Sequence, residues 1–134
     1  MSSGKQETSA ISAFGPPVAW AVLIFLASSI PQHAFPESRI FTQDKVIHGA
    51  VYAVLALLVF RGIRVRNPAA PAFSVIWRTI LICLLYGALD ELHQSYVPGR
   101  SCDVFDLIAD VCGAGLAVAG ALLWERRRSA SGEA

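Results

Sequence analysis

Four stretches of this chain, residues 16–30, 46–60, 73–92 and 104–124, are apolar almost without interruption. Inside a bilayer such a stretch must satisfy its own backbone hydrogen bonds, and only helices and closed barrels do that. The runs are continuous rather than alternating, so they read as helices. A hydrocarbon core roughly 30 Å thick takes about 20 mostly apolar residues per helix, and four such runs occupy most of the 134 residues. Only 16% of the chain is charged, against about 25% in an ordinary soluble domain. The fold class expected is all-α, an integral membrane four-helix bundle. The natural division is an N-terminal tail (1–15), a transmembrane domain (16–124) and a basic C-terminal tail (125–134). The net charge of +1 gives no reason to expect a nucleic-acid partner; the partner implied is the lipid bilayer, and oligomeric state is left open.

The first run opens on Pro16-Pro17 and closes at Pro31. Two prolines suit the first turn of a helix, where the missing N–H groups have no partner to lose. A cleaved signal peptide is the alternative for this run, but only Lys5 precedes it as a basic residue and no clear small-x-small site follows. The second run starts after Asp44-Lys45 and ends at Arg61, Arg64 and Arg66, with Asn67-Pro68 opening a loop. The third contains Arg78 near its start, where the side chain can snorkel to the interface. The fourth stops at Glu125-Arg126-Arg127-Arg128. Trp77 and Trp124 fall near predicted interfaces, as indoles prefer.

If the helices alternate in direction, one face receives Lys5, Arg61, Arg64, Arg66, Arg78, Arg126, Arg127 and Arg128. The other receives Arg39, Lys45 and Arg100. The positive-inside rule then puts both termini in the cytoplasm, with the chain expected in an inner (cytoplasmic) membrane. The acids divide the other way: Glu37, Asp44, Asp90, Glu91, Asp103, Asp106 and Asp110 on the outer half, Glu7, Glu125 and Glu133 on the inner. Carboxylates have little influence on orientation, so this asymmetry needs a separate explanation.

Three segments supply it. Asp44, Lys45, His48 and Tyr52 enter the second helix, with Asp44, His48 and Tyr52 spaced by four on one face. Asp90, Glu91, His93 and Gln94 leave the third, followed by Pro98, Gly99 and Arg100. Asp103, Asp106 and Asp110 enter the fourth as one stripe. Asp110 lies about 10 Å along the helix axis from Asp103, deep enough that an unpaired charge costs about 2.5–3.5 kcal/mol. It must be paired, hydrated, protonated or bound to something, and His48 and Tyr52 are candidate partners. Each group also has a plainer reading. Asp44 and Asp103 suit helix N-termini, Pro98-Gly99 is a turn, Arg100 and His93 can be solvated, and a buried network can be structural.

The candidate catalytic residues are His48, Glu91 and Asp106. The candidate ligand-binding residues are Asp44, Lys45, Tyr52, Asp90, His93, Gln94, Arg100, Asp103 and Asp110. These parts suffice for acid–base chemistry and for clamping a phosphate or carboxylate. No HExxH or CxxC pattern marks a metal site, and no cofactor is expected. A proton-coupled transporter is a third reading, although four short helices are few for alternating access. Cys83 and Cys112, inside apolar runs, read as small core residues, and Cys102 as a free thiol in a loop. Ala109, Gly113 and Ala117 form a small-residue seam that lets a neighbouring helix approach closely.

The segments DKVIHGAVYAVLAL and LDELHQSYVPGRSCDVFDLIADVCGAGLAVAG resemble the VanZ-like family of small bacterial membrane proteins, over roughly Pro16 to Leu123. The resemblance picks out Asp44, Lys45, His48, Tyr52, Asp90, Glu91, His93, Gln94, Pro98, Gly99, Arg100, Asp106 and Gly113. Asp110 departs from it, standing where the family pattern has asparagine. The family is named for a protein linked to low-level teicoplanin resistance. The resemblance therefore implies a cell-envelope role, with a lipid-linked or envelope-related ligand, and implies no particular reaction.

Overall fold

A computed structural model describes residues 9–34 and 41–132. Lys5, Glu7, Glu37, Arg39 and Glu133 lie outside the described residues. The elements are α1 (Ala10–Ser28), a 3-10 turn (Gln32–Ala34), α2 (Phe41–Arg66), α3 (Ala72–Gln94) and α4 (Val104–Ala130). All four α-helices are long and apolar enough to cross a membrane. Their outer surface confirms the solvent they are built for: Phe73, Leu85, Leu89, Leu116 and Leu123 all point away from the bundle. A water-soluble protein does not leave so contiguous an apolar surface uncovered.

The first helix starts earlier than Pro16. Ser9 caps it, its Oγ accepting from the Ile11 amide at 3.2 Å, and Pro16 and Pro17 lie inside the helix rather than in its first turn. Two prolines there leave the Ser12 and Ala13 carbonyls without their intrahelical donors. α2 comes in closely at that point with a glycine: a Cβ on Gly62 would lie 2.6 Å from the Ala13 oxygen. The fourth helix continues past Trp124 through the arginine run. Arginine is a good helix former, and Arg127 and Arg128 sit in the last turn, where the helix dipole favours cations. Arg128 covers the Trp124 ring at 4.9 Å.

The chain folds as two sets of parallel helices. α1 and α3 run side by side, tied by the Tyr86 hydroxyl donating to Ala21 O at 2.5 Å and by Ser28 Oγ donating to Asp90 at 2.6 Å. α2 and α4 run parallel as well, packed at Gly49 and Gly113. A Cβ on Gly113 would fall 2.0 Å from the Gly49 oxygen, so the small-residue seam of α4 has its partner in α2. The core between the helices contains Tyr52, Leu55, Ala56, Val59, Val75, Cys83, Ala114 and Val118. Cys112 is exposed on the outside of the bundle, contrary to its reading as a core residue, whereas Cys83 is buried. The reason is angular: Asp106, Asp110 and Gly113 define the inward face of α4, and Cys112 falls off it.

Candidate ligand-binding site at the polar end of the bundle

The Gly49–Gly113 crossing determines what faces what. Beside that contact, His48, the residue before Gly49, meets Asp110, one turn before Gly113, with Nδ1 3.1 Å from Oδ1. A further turn back, the Lys45 ammonium donates to Asp103 Oδ2 at 2.6 Å and to Asp106. His48 Nε2 also lies 3.8 Å from Asp106 Oδ2. The acidic stripe of α4 is thus matched against a basic edge of α2. Asp106 and Asp110 are both buried, away from the lipid-facing surface.

α3 closes the site from the other side. Glu91 is buried, and its Oε2 accepts the backbone amide of Asp103 at 2.7 Å, so it fixes the start of α4. Asp90 accepts from Ser28 and from Gln94 Nε2, the latter at 3.0 Å, and Gln94 in turn accepts from Arg100 Nη1 at 2.9 Å. The turn that returns Arg100 to this chain of contacts uses Gly99 at φ 77°, a left-handed conformation that glycine adopts without a Cβ clash. His93 pairs with Ser29 Oγ at 2.9 Å and stacks on Phe25, ring centroids 4.4 Å apart.

Between α1, α2 and α3 lies a cavity of about 160 Å³. Ile24, Ala27, Ile47 and Val51 form its apolar walls; Ser28, Asp44, His48, Tyr52, Asp90, Gln94 and Arg100 supply its polar groups. Tyr52 is 1% exposed, and its hydroxyl has no hydrogen-bond partner among the described residues.

A family profile described as VanZ/LLP1 matches residues 16–125. The chain belongs to the VanZ/LLP1 family. A Schizosaccharomyces pombe relative, named Uncharacterized protein C11E3.10, is 33% identical over 94 residues, covering 69% of this chain and 55% of the relative. The chain therefore spans about half the length of that relative, whose name assigns no activity. No solved structure matches.

In this VanZ/LLP1 chain the sequence-derived candidates fall into two connected groups. Lys45, His48, Asp103, Asp106, Asp110 and Glu91 surround the α2–α4 contact. Asp44, Tyr52, Asp90, Gln94 and Arg100 line the cavity, and His93 lies beside them against α1. The residues that sequence reasoning missed are Ser28 and Ser29, which bind Asp90 and His93. Their signal was available: two hydroxyls at the end of an otherwise apolar run, on the same side of the membrane as the acids.

The Lys45 ammonium beside Asp103, helped by the Phe105 amide, holds the Asp103 carboxyl below the usual carboxylate range. A carboxyl that binds its proton more weakly in the folded protein adds stability above its ordinary value of about pH 4 and loses it as pH falls through the lowered value. Thermal melts in detergent should therefore lose stability more steeply between about pH 5 and pH 3 for the parent protein than for Asp103→Asn. Identical slopes would show that the pair has no bearing on acid stability.

Proposed function

We propose that this protein is an envelope membrane protein that binds an amphiphilic, lipid-linked ligand by its headgroup, in the cavity at the polar end. The cavity itself carries this reading. At about 160 Å³ it is smaller than a drug-sized pocket of about 300–1,000 Å³, and it suits a compact headgroup. One wall, Ile47, is 45% exposed on the bundle's outer surface, so an acyl or prenyl chain can continue along the lipid face. Arg100 offers the planar fork that recognises phosphate or carboxylate. The arginine asymmetry orients the polar end away from the cytoplasm, in keeping with the envelope role that the family resemblance implies.

The test is binding of a synthetic polyprenyl phosphate to the protein in nanodiscs. Saturable binding is expected, weakened about tenfold or more, equivalent to about 1.4 kcal/mol, by Arg100→Ala and by the cavity-filling Ala27→Trp. Binding no tighter than that of the neutral polyprenol would overturn the headgroup reading. Orientation has its own check: a cysteine at Ser131, in a chain lacking its natural cysteines, should resist an impermeant thiol reagent in intact cells.

One observation favours a second reading, hydrolase-type chemistry on such a phosphate. His48 is held by Asp110 through Nδ1 at 3.1 Å, the arrangement of a general base oriented by a carboxylate. Release of inorganic phosphate by the wild type, lost in His48→Ala, would favour the enzyme over the binder.

A further inference from the structure

We infer that His48, Glu91 and Asp110 form a binding site for a divalent transition-metal ion of the zinc–manganese type. Each residue comes from a different helix, and one ligand atom from each lies within 4.8 Å of the other two. The His48 Nδ1 to Asp110 Oδ1 separation of 3.1 Å is that of adjacent ligands on one ion, since bonds of about 2.1 Å at tetrahedral or right angles put ligand atoms about 3.0–3.4 Å apart.

Two further observations point to a ligand rather than to a closed network. Glu91 is 3% exposed, and while its Oε2 accepts the Asp103 amide, its Oε1 is buried with no donor among the described residues. Tyr52, also buried with its hydroxyl unpartnered among the described residues, brings its ring to the same place as Asp110. Both atoms, Tyr52 Cε1 and Asp110 Oδ2, lie within 3.4 Å of where a Cβ on Gly87 would stand. A buried carboxylate oxygen without a donor carries its full desolvation penalty, and a cation relieves that penalty directly. The tyrosine hydroxyl would then serve a water or anion on the ion's remaining position.

A second group, Asp44, His48 and Asp106, is also close enough for one ion and shares the same imidazole. The Glu91 set is the better site because Asp106 already receives the Lys45 ammonium. The donor set selects the ion. Calcium and magnesium prefer all-oxygen shells, whereas one imidazole with two carboxylates suits zinc, manganese or iron(II). No local motif marks the site, because the three ligands are 62 positions apart at their extremes.

The experiment uses the full-length protein in detergent, with Cys102→Ser and Cys112→Ser to remove exposed thiols that would bind zinc. After stripping with a chelator, calorimetric titration with Zn²⁺ and with Mn²⁺ should show about one site per chain. Affinity should fall by more than about tenfold in Glu91→Gln and in His48→Gln. Glu91→Gln keeps an acceptor for the Asp103 amide, so its fold is expected to persist, which a thermal melt verifies. Mn²⁺ electron paramagnetic resonance gives a second readout on the unsubstituted site, through hyperfine coupling to the imidazole nitrogen. Absence of stoichiometric binding, unchanged affinity in both folded variants, or equal affinity for Mg²⁺ would overturn the assignment. None of these outcomes depends on the phosphate ligand.

Discussion

Replacing Gly113 with alanine should prevent α2 and α4 from packing as they do. The added Cβ would lie 2.0, 2.6 and 2.7 Å from the O, C and Cα of Gly49. All three are backbone atoms, so no rotamer change relieves the clash, and the helices must separate by more than an ångström. Overpacking in a core usually costs about 1–3 kcal/mol; this substitution should reach the top of that range or exceed it, since separation also pulls His48 from Asp110 and Lys45 from Asp106. Gly113→Leu should yield no folded protein. Gly115 and Gly120 provide the control, because a Cβ at either meets nothing within 4 Å. Alanine there should shift stability by no more than about 1 kcal/mol, in the favourable direction expected from helix propensity. Unfolding in mixed detergent micelles compares the three alanine variants, and equal stability of Gly113→Ala and Gly115→Ala would refute the close crossing.

The second large effect is expected at Lys45. Its ammonium bridges Asp103 and the buried Asp106. Lys45→Met keeps the length of the side chain and removes the charge, leaving Asp106 a buried carboxylate without that cation. Breaking one side of a buried pair costs about 3–5 kcal/mol, and the partial exposure of Asp103 places the expectation near the lower figure. Adding Asp106→Asn to Lys45→Met should recover much of the loss, because the uncompensated charge is gone. A double-mutant cycle from chemical unfolding reads the coupling. Additive effects of the two substitutions would mean that Lys45 and Asp106 do not interact in the membrane-embedded protein.

The four spans and the gathering of polar residues at one end were legible in the sequence, because charge inside an apolar run is costly and therefore conspicuous. The stripe of Asp103, Asp106 and Asp110 could be assigned a face from spacing alone. Its partners could not all be assigned, since a residue on one helix does not announce which neighbour will approach. Ala109, Gly113 and Ala117 declared a close contact, but nothing in the local pattern around Gly49 named it as the other half. Pro16-Pro17 misled because prolines suit a first turn, whereas Ser9 caps the helix well before them. In the sequence Arg64 stands only as a charge that sets orientation and Glu125 only as an acid on the inner half, yet they form a two-pronged ion pair, both contacts at 3.0 Å, with Arg64 also donating to Ala70 O. Asp110, a departure from the pattern the resemblance suggests, faces His48 and so adds a carboxylate directly to the imidazole's surroundings.

The parallel alignment of α2 with α4 has a mechanical result. Lys45 pairs with Asp106 at one end and Arg64 with Glu125 at the other, each across 61 positions of sequence. The two fastenings are 19 residues apart on either helix, about 29 Å, close to the roughly 30 Å of a bilayer's hydrocarbon layer. Sliding one helix past the other would break both at once and drive the Gly49–Gly113 backbones into side chains. The two helices therefore form a strut of fixed length. In a thinner membrane a strut cannot shorten; it leans, and the polar end leans with it as a rigid piece. Bilayer thickness thus sets the angle at which the polar end, with the imidazole of His48, meets the surface.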